Sequence, residues 1–334
     1  MDIRKIQATG GSSYIVTLPK DWITENGLKK NDPVRMSRTS DGGLAIFPAS
    51  TVKDSSVNVK IIDIDGIGSE TLLFRMLLGA YISGYGQIEV RSSGRLESGM
   101  VDAATRFIEM AIGVEIVEES SDRIVMKDLV DPGEMKFPRT VERMKVLVRN
   151  MLSDVMDMLE TNDLSKAESI ESRDREVDRI EWFISRQTNM TVRDTSTIHR
   201  MGVEPLDIYR NYTVSRTLER IGDHAVLMAN HSSSLTRGDD LKSMRFSIVR
   251  MGRQVIELFL RSVGAWVKVN LVEANEIVEE AAKLSKACND QNKNVAGLSK
   301  DITMTVNMIM GSLSRISEYS ADISELAINA AMSR

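Results

Sequence analysis

The strongest constraint on the fold of this chain is a repeated set of long helices in its last two hundred or so residues. From Pro138 onwards, apolar residues recur at helical spacing, as at Val141, Met144 and Val148. Short turns separate the helices, with one longer polar break at 232–240, and this organisation is typical of helical bundles. The periodicity predicts helices over about 138–162, 165–190, 205–232, 242–270, 271–296 and 300–332.

The first three of these helices look like a copy of the last three. The segment DLSKAESIESRDREVD (163–178) aligns with NLVEANEIVEEAAKLS (270–285), and LERIGDHA (218–225) aligns with LSRISEYS (313–320). An internal duplication of a three-helix unit is therefore predicted. We place the first bundle at 136–235 and the second at 240–334.

The residues before the bundles indicate two smaller domains. Residues 1–50 contain short β-prone runs, a helix between Pro19 and Gly27, and a hairpin that turns at Asp41-Gly42. A unit of this size buries little apolar surface, so we expect it to pair with a second copy as a homodimer. Residues 51–135 alternate strands with two helices, which predicts an α/β spacer domain.

Composition indicates the cellular compartment of the protein and the region where its positive charge lies. Cys288 is the only cysteine, which excludes a disulfide framework, and no apolar run approaches the roughly 20 residues needed to cross a bilayer. We therefore expect a cytoplasmic protein without membrane insertion. Residues 1–50 carry a charge of +2, whereas the whole chain carries −5. A mildly basic head on an acidic body fits a small anion-binding module, and chance variation over fifty residues explains the charge equally well.

Two acidic pairs are the candidates for a functional site. Glu219 and Asp223 are four residues apart on the third helix, and Asp174 and Asp178 have the same spacing on the second. If the helices face one another, the four carboxylates would repel until a hard cation such as Mg, Mn or Fe entered. The spacing alone equally fits a solvated helix flank.

The histidines argue against a metal-dependent enzyme. Di-iron bundle enzymes use Glu-x-x-His motifs, but Ile221 and Met228 stand three residues before His224 and His231. His199 lies in a polar connection, where a surface position is expected. We therefore predict no enzyme activity.

The doubled unit with DREVD and LERIGDHA resembles the PhoU family, regulators of phosphate uptake. The resemblance implies that acidic motifs on paired helices hold metal ions, and the matching positions are Asp174, Asp178, Glu219 and Asp223. The second bundle departs from this pattern. Its equivalent positions are Ala281, Ser285, Ser314 and Glu318, so we expect that bundle to bind metal weakly or not at all.

The head, RKIQATGGSSYIVTLPKDW, resembles the SpoVT/AbrB-like DNA-binding domain. That family forms a strand-exchanged dimer, which implies a swapped-hairpin head. Ile23 and Thr24 replace basic residues that DNA-binding members carry on the helix. The remaining cations that could contact DNA phosphates are Arg4, Lys5, Lys20, Lys29 and Lys30.

Together the resemblances are to archaeal PhoU-type regulators with a SpoVT/AbrB-like head. The implied fold class is mixed: a β-rich swapped-hairpin head, an α/β spacer and all-α duplicated three-helix bundles. The implied function is phosphate homeostasis, through a DNA-binding transcriptional regulator with a metal-binding bundle. The alternative is an adaptor that docks on the ATPase of a phosphate transporter and uses the head only to dimerise.

Overall fold

The computed structural model separates the chain into two compact units, Met1–Asn58 and Val59–Arg334. Four predicted features lie outside the described residues: Asp41, His199, the end of the polar break at 236–240 and the end of the fifth helix at 292–296. The structure describes residues 3–11, 13–38, 42–49, 58–130, 136–193, 197–198, 201, 203–235, 241–291 and 299–333.

The head consists of two antiparallel hairpins and one short helix. Strand β1 (Gln7–Thr9) pairs with β2 (Ser13–Ile15), and β3 (Val34–Arg38) pairs with β4 (Leu44–Pro48). Helix α1 (Lys20–Glu25) lies between them in sequence. Pro19 precedes the first turn of α1 with an extended ψ of 134°. The helix thus lies between Pro19 and Gly27, as the sequence predicts.

The head leaves most of its apolar side chains in solvent. Among its described residues, Leu28 and Pro48 are the buried ones. Five large apolar side chains are more than half exposed: Ile3, Ile6, Tyr14, Met36 and Leu44.

The second unit begins with a four-stranded sheet in the order β5-β6-β8-β7. Strands β5 and β6 are parallel, and the other two pairings are antiparallel. The helices cover one face of the sheet because their apolar side chains share its core. The elements are β5 (Val59–Asp63), α2 (Glu70–Ile82), β6 (Gln87–Arg91), α3 (Ser98–Met110), β7 (Val114–Glu119) and β8 (Arg123–Asp128).

The bundle region follows the predicted helix pattern. Observed ends lie within three residues of the predicted ones, except the predicted end of the fifth helix, which falls outside the described residues. Asn162 and Val269 adopt positive φ values at helix ends, which stops the helical path there. The helices are α4 (Phe137–Thr161), α5 (Ala167–Arg193), α6 (Pro205–His231), α7 (Lys242–Lys268), α8 (Leu271–Gln291) and α9 (Lys300–Met332).

Helices α4–α6 form the first bundle and α7–α9 the second. The bundles pack together through α4 against α7 and α6 against α9. One buried cluster includes Met151 and Ile221 of the first bundle and Phe259 and Leu313 of the second. The six helices therefore share a continuous core.

Arg186 of α5 joins the first bundle to the α/β sheet. Its Nε and Nη2 donate to Asp128 Oδ2 at 3.0 and 2.6 Å, and its Nη1 donates to the Tyr81 carbonyl. The guanidinium also lies 4.8 Å from the Tyr81 ring centre. A buried ion pair of this kind is costly to break, so it fixes the position of α5.

Candidate functional site

The four predicted carboxylates lie on helices that pack against each other. Asp174 and Asp178 are on α5, Glu219 and Asp223 are on α6, and buried Val177 and Ile221 belong to the core of the same bundle. The acidic side chains flank that apolar contact. Three of them are partly buried, whereas Asp223 is exposed.

Desolvation raises the pKa of every carboxylate in this cluster, and repulsion from neighbouring carboxylates adds to the shifts of Asp174, Asp178 and Glu219. Burial raises the pKa of Asp174 to about 6, with Asp223 adding to the shift. Burial also raises the pKa of Asp178 to about 7, helped by the charges of Asp174, Glu219 and Asp223. Partial desolvation by the surrounding protein raises the pKa of Glu219 and also that of Asp223, although the Asp223 side chain as a whole is exposed. The two helices thus bring together charges that oppose one another.

Asp174 approaches α6 closely because Gly222 has no side chain. A Cβ atom at Gly222 would lie 3.2 Å from Asp174 Oδ1. That Oδ1 atom is buried and has no hydrogen-bond partner among the described residues. An unpaired buried acceptor is costly, and a bound cation would remove that cost.

Two further charged residues extend the cluster beyond the sequence prediction. Glu181 of α5 is buried, accepts a hydrogen bond from Ser185 at 2.5 Å, and lies 3.4 Å from Arg216 Nη1 of α6. Arg216 also lies 3.9 Å from Glu219. Glu181 is four residues after Val177 and lies within the apolar stripe of the helix. A charged residue at a core-facing position was the sequence signal that could have identified it.

The carboxylates do not converge on a common point. Within the described residues, no three histidine, cysteine or acidic side chains are close enough to hold one metal ion. Ionised carboxylates repel, so separated side-chain rotamers are favoured. Metal coordination by this cluster would therefore require the side chains to turn toward each other.

The equivalent positions of the second bundle form a hydrogen-bonded group. The hydroxyls of Ser285 on α8 and Ser314 on α9 lie 2.9 Å apart. Ser285 also donates a hydrogen bond to Glu318 Oε1 at 3.1 Å. Ala281 occupies the position equivalent to Asp174. These polar groups satisfy one another without a cation.

The five predicted DNA-contacting cations of the head are all exposed. Arg4 Nη1 donates to Thr17 Oγ1 at 3.1 Å, which ties this side chain to the segment after β2. Ile23 is partly buried, and Thr24 donates its hydroxyl to the Lys20 carbonyl at 3.0 Å. Neither residue supplies the positive charge that the helix lacks. The exposed cations are Arg4, Lys5, Lys20, Lys29 and Lys30.

The helices that carry the acidic cluster match a known family model. Residues 141–231 match the family model of the PhoU domain. The match covers α4, α5 and α6. It therefore contains all four predicted carboxylates. The head, over residues 7–54, matches the family model described as antidote-toxin recognition MazE, bacterial antitoxin, which supports an AbrB-like head.

Two curated relatives carry the same family name. A phosphate-specific transport system accessory protein PhoU homolog of Caulobacter vibrioides is 36% identical over 108 residues, which is 32% of this chain and 44% of the relative. A PhoU homolog of Clostridium acetobutylicum is 29% identical over 136 residues, which is 40% of this chain and 60% of the relative. The similarity thus spans about half the length of these relatives.

The helical region also resembles a solved structure, PhoU from Pseudomonas aeruginosa. The TM-score is 0.51 at 17% sequence identity, over 59% of this chain and 96% of the other. At this identity the likeness concerns the fold. It confirms the predicted fold class, in which PhoU-like helical bundles follow a small β-hairpin region. Among the described residues, no helix is both long enough and apolar enough to span a bilayer.

Proposed function

We propose that this protein is a cytoplasmic, non-enzymatic regulator of phosphate uptake that acts as a DNA-binding homodimer. The observation that carries the proposal is the combination, in one chain, of a PhoU-domain match at 141–231 and a MazE match at 7–54. The relatives are named for phosphate-specific transport, which supports the process. The basic head supports the contact with DNA.

In this proposal the first bundle binds a hard cation through Asp174, Asp178, Glu219 and Asp223. All four donors are carboxylate oxygens, which suit Mg, Mn or Fe. The buried, unpaired Oδ1 of Asp174 and the raised pKa values of the cluster support a cation there. The cation would neutralise the cluster and hold α5 against α6.

The head provides dimerisation and the DNA contacts. Its exposed apolar side chains, including Ile6 and Tyr14, would be covered by a second head. Dimerisation doubles the exposed cations, so two sets of backbone-phosphate contacts act together. Ile23 and Thr24 leave α1 without basic residues at those positions, so the phosphate contacts are expected to dominate.

DNA binding can be tested with the full chain, its own upstream DNA and an unrelated duplex across a salt series. The variant Arg4→Ala with Lys5→Ala should weaken binding and flatten its salt dependence by roughly one unit of slope per lost phosphate contact in each subunit. The matched control is Lys283→Ala with Lys286→Ala, which removes two exposed cations from α8. An unchanged salt slope in the head variant would contradict the assignment.

The adaptor alternative makes the opposite prediction. If the full chain binds neither duplex at low salt, the head serves only to dimerise, and the ATPase of the phosphate transporter becomes the expected partner. Co-purification of the full chain with that ATPase would test it.

A further inference from the structure

A cleft beside a neighbouring face of α5 is not used by the proposed function. It lies between α2, α3 and the first half of α5, is open to solvent on one side, and has a volume of about 650 Å³. This volume is in the range of small-molecule sites. Residues 172, 175, 176 and 179 line it at helical spacing, whereas Asp174 and Asp178 lie on a neighbouring face of α5.

Three arginines contribute guanidinium groups to the cleft: Arg106, Arg175 and Arg179. Arg106 lies over the Phe74 ring at 5.2 Å, and Phe74 in turn contacts Trp182 edge-to-face at 6.4 Å between ring centres. Stacking on an aromatic face leaves the N–H edge of a guanidinium free to donate.

Arg179 is held in place by two contacts. Its Nε donates to the Met110 carbonyl at 3.2 Å, and its Nη1 lies 3.1 Å from Glu176 Oε2. The cleft therefore has one fixed arginine beside one stacked arginine.

The charges in the cleft are unbalanced. Glu176 pairs with both Arg143 and Arg179. Within the described part of the chain, neither Arg106 nor Arg175 forms an ion pair with a carboxylate. Glu109 also lines the cleft and is exposed. The lining thus carries three guanidinium groups and two carboxylates, which leaves the cleft with one net positive charge.

We infer that this cleft binds a small molecule that bears a phosphate group. Guanidinium groups match phosphate oxygens in charge and in fork geometry, and Ser172 adds a hydroxyl donor. Inorganic phosphate and a phosphate monoester share this chemistry. Glu109 accepts hydrogen bonds from hydroxyl groups but repels a bare phosphate, so a hydroxylated monoester is expected to bind more tightly.

The test is calorimetric titration of the full chain with inorganic phosphate and, separately, with AMP as a hydroxylated monoester. A chelator is present throughout, so that no cation at the acidic cluster bridges to the probe. The variant Arg106→Gln with Arg175→Gln should weaken binding of either probe by about tenfold or more. The matched control, Arg250→Gln, removes an exposed arginine of α7 outside the cleft and should change nothing.

The two probes distinguish the two sources of the phosphate group. Binding that depends on the two arginines supports the site, and the tighter probe identifies free phosphate or a monoester as its ligand. Glu109→Gln should then strengthen binding of inorganic phosphate. The proposal is overturned if neither probe binds the native protein at up to about 10 mM, or if the double variant binds as well as the native protein.

Discussion

In the first bundle, facing helices carry Asp178 and Glu219, and in the second bundle Ser285 and Ser314 occupy the equivalent positions. The serine hydroxyls hydrogen-bond at 2.9 Å. In the first bundle, by contrast, burial raises the pKa of Asp178 to about 7, and the charges of the neighbouring carboxylates add to this shift. One scaffold therefore contains a self-satisfied polar contact in one half and an electrostatically unfavourable one in the other.

Gly222 on α6 and Ser317 on α9 occupy equivalent positions, and they also differ in how their polar neighbours are satisfied. Gly222 lets Asp174 Oδ1 approach α6, whereas Ser317, its equivalent, donates its hydroxyl to the Leu313 carbonyl at 3.0 Å. The second bundle has hydrogen bonds where the first has an unpaired acceptor. Carboxylates with perturbed pKa values are frequent at functional sites, and this is the cluster for which we propose cation binding.

The largest change in stability is expected from giving the second bundle the carboxylates of the first. Ser285→Asp with Ser314→Glu would place two carboxylates at nearly buried positions. We expect a loss of about 3–5 kcal/mol in the free energy of unfolding at neutral pH, because the charges are buried without a partner. Denaturant unfolding in the presence of a chelator measures this loss.

The control for that variant has amides of the same size, Ser285→Asn with Ser314→Gln. It should be clearly more stable than the acidic variant, since it adds volume without charge. Equal stability of the two variants would mean that size, and not charge, distinguishes the bundles.

The next effect is stabilisation of the native protein by a hard cation. Mn²⁺ at about one hundred times its dissociation constant should add about 2.7 kcal/mol to the free energy of unfolding. Asp178→Asn with Glu219→Gln should remove this dependence, because it takes charge and acceptors from both helices. Melting curves across a Mn²⁺ series, with elemental analysis of the purified protein, provide the measurement. If added Mg, Mn or Fe did not change the melting temperature, these residues would be interpreted as a solvated helix flank and not as a metal site.

A smaller effect is expected from pH in the chelated protein. Burial raises the pKa of Asp178 from 3.8 to about 7, so the folded state favours the protonated carboxyl. Its stabilising contribution is complete below about pH 4 and is lost as the pH rises through about 7. Asp178→Asn should therefore match the native protein near pH 4. At pH 8 it should exceed native stability by about 1–2 kcal/mol after solvent screening.

This pH prediction is checked by urea unfolding of both proteins across the pH range, with chelator present. A constant difference between them at all pH values would exclude a titrating carboxylate as its cause.

The sequence predicted the helices of the bundles well because their apolar spacing is regular and their ends carry clear stop signals. It also indicated the acidic pairs, since i, i+4 spacing fixes a shared helix face. It did not reveal the contact of Arg186 with Asp128, because the two residues are 58 positions apart and the sequence does not show that α5 packs beside β8. The arginine cleft was missed for the same reason: Arg106 of α3 and Arg175 of α5 are far apart in sequence and line one cleft only in the folded chain.

The smallest effect is expected at Glu318, the one acidic residue that the second bundle shares with the first pattern. It accepts a hydrogen bond from Ser285 at 3.1 Å and forms an ion pair with Arg315, whose side chain is 54% exposed. Exposed ion pairs contribute little, and an amide can still accept the serine hydrogen bond. Glu318→Gln should therefore change the free energy of unfolding by less than about 0.5 kcal/mol and leave the Mn²⁺ dependence intact. Melting curves with and without Mn²⁺ measure both quantities. If this variant lost the Mn²⁺ effect, the cation would belong to the second bundle, and the contrast between the two halves would be reversed.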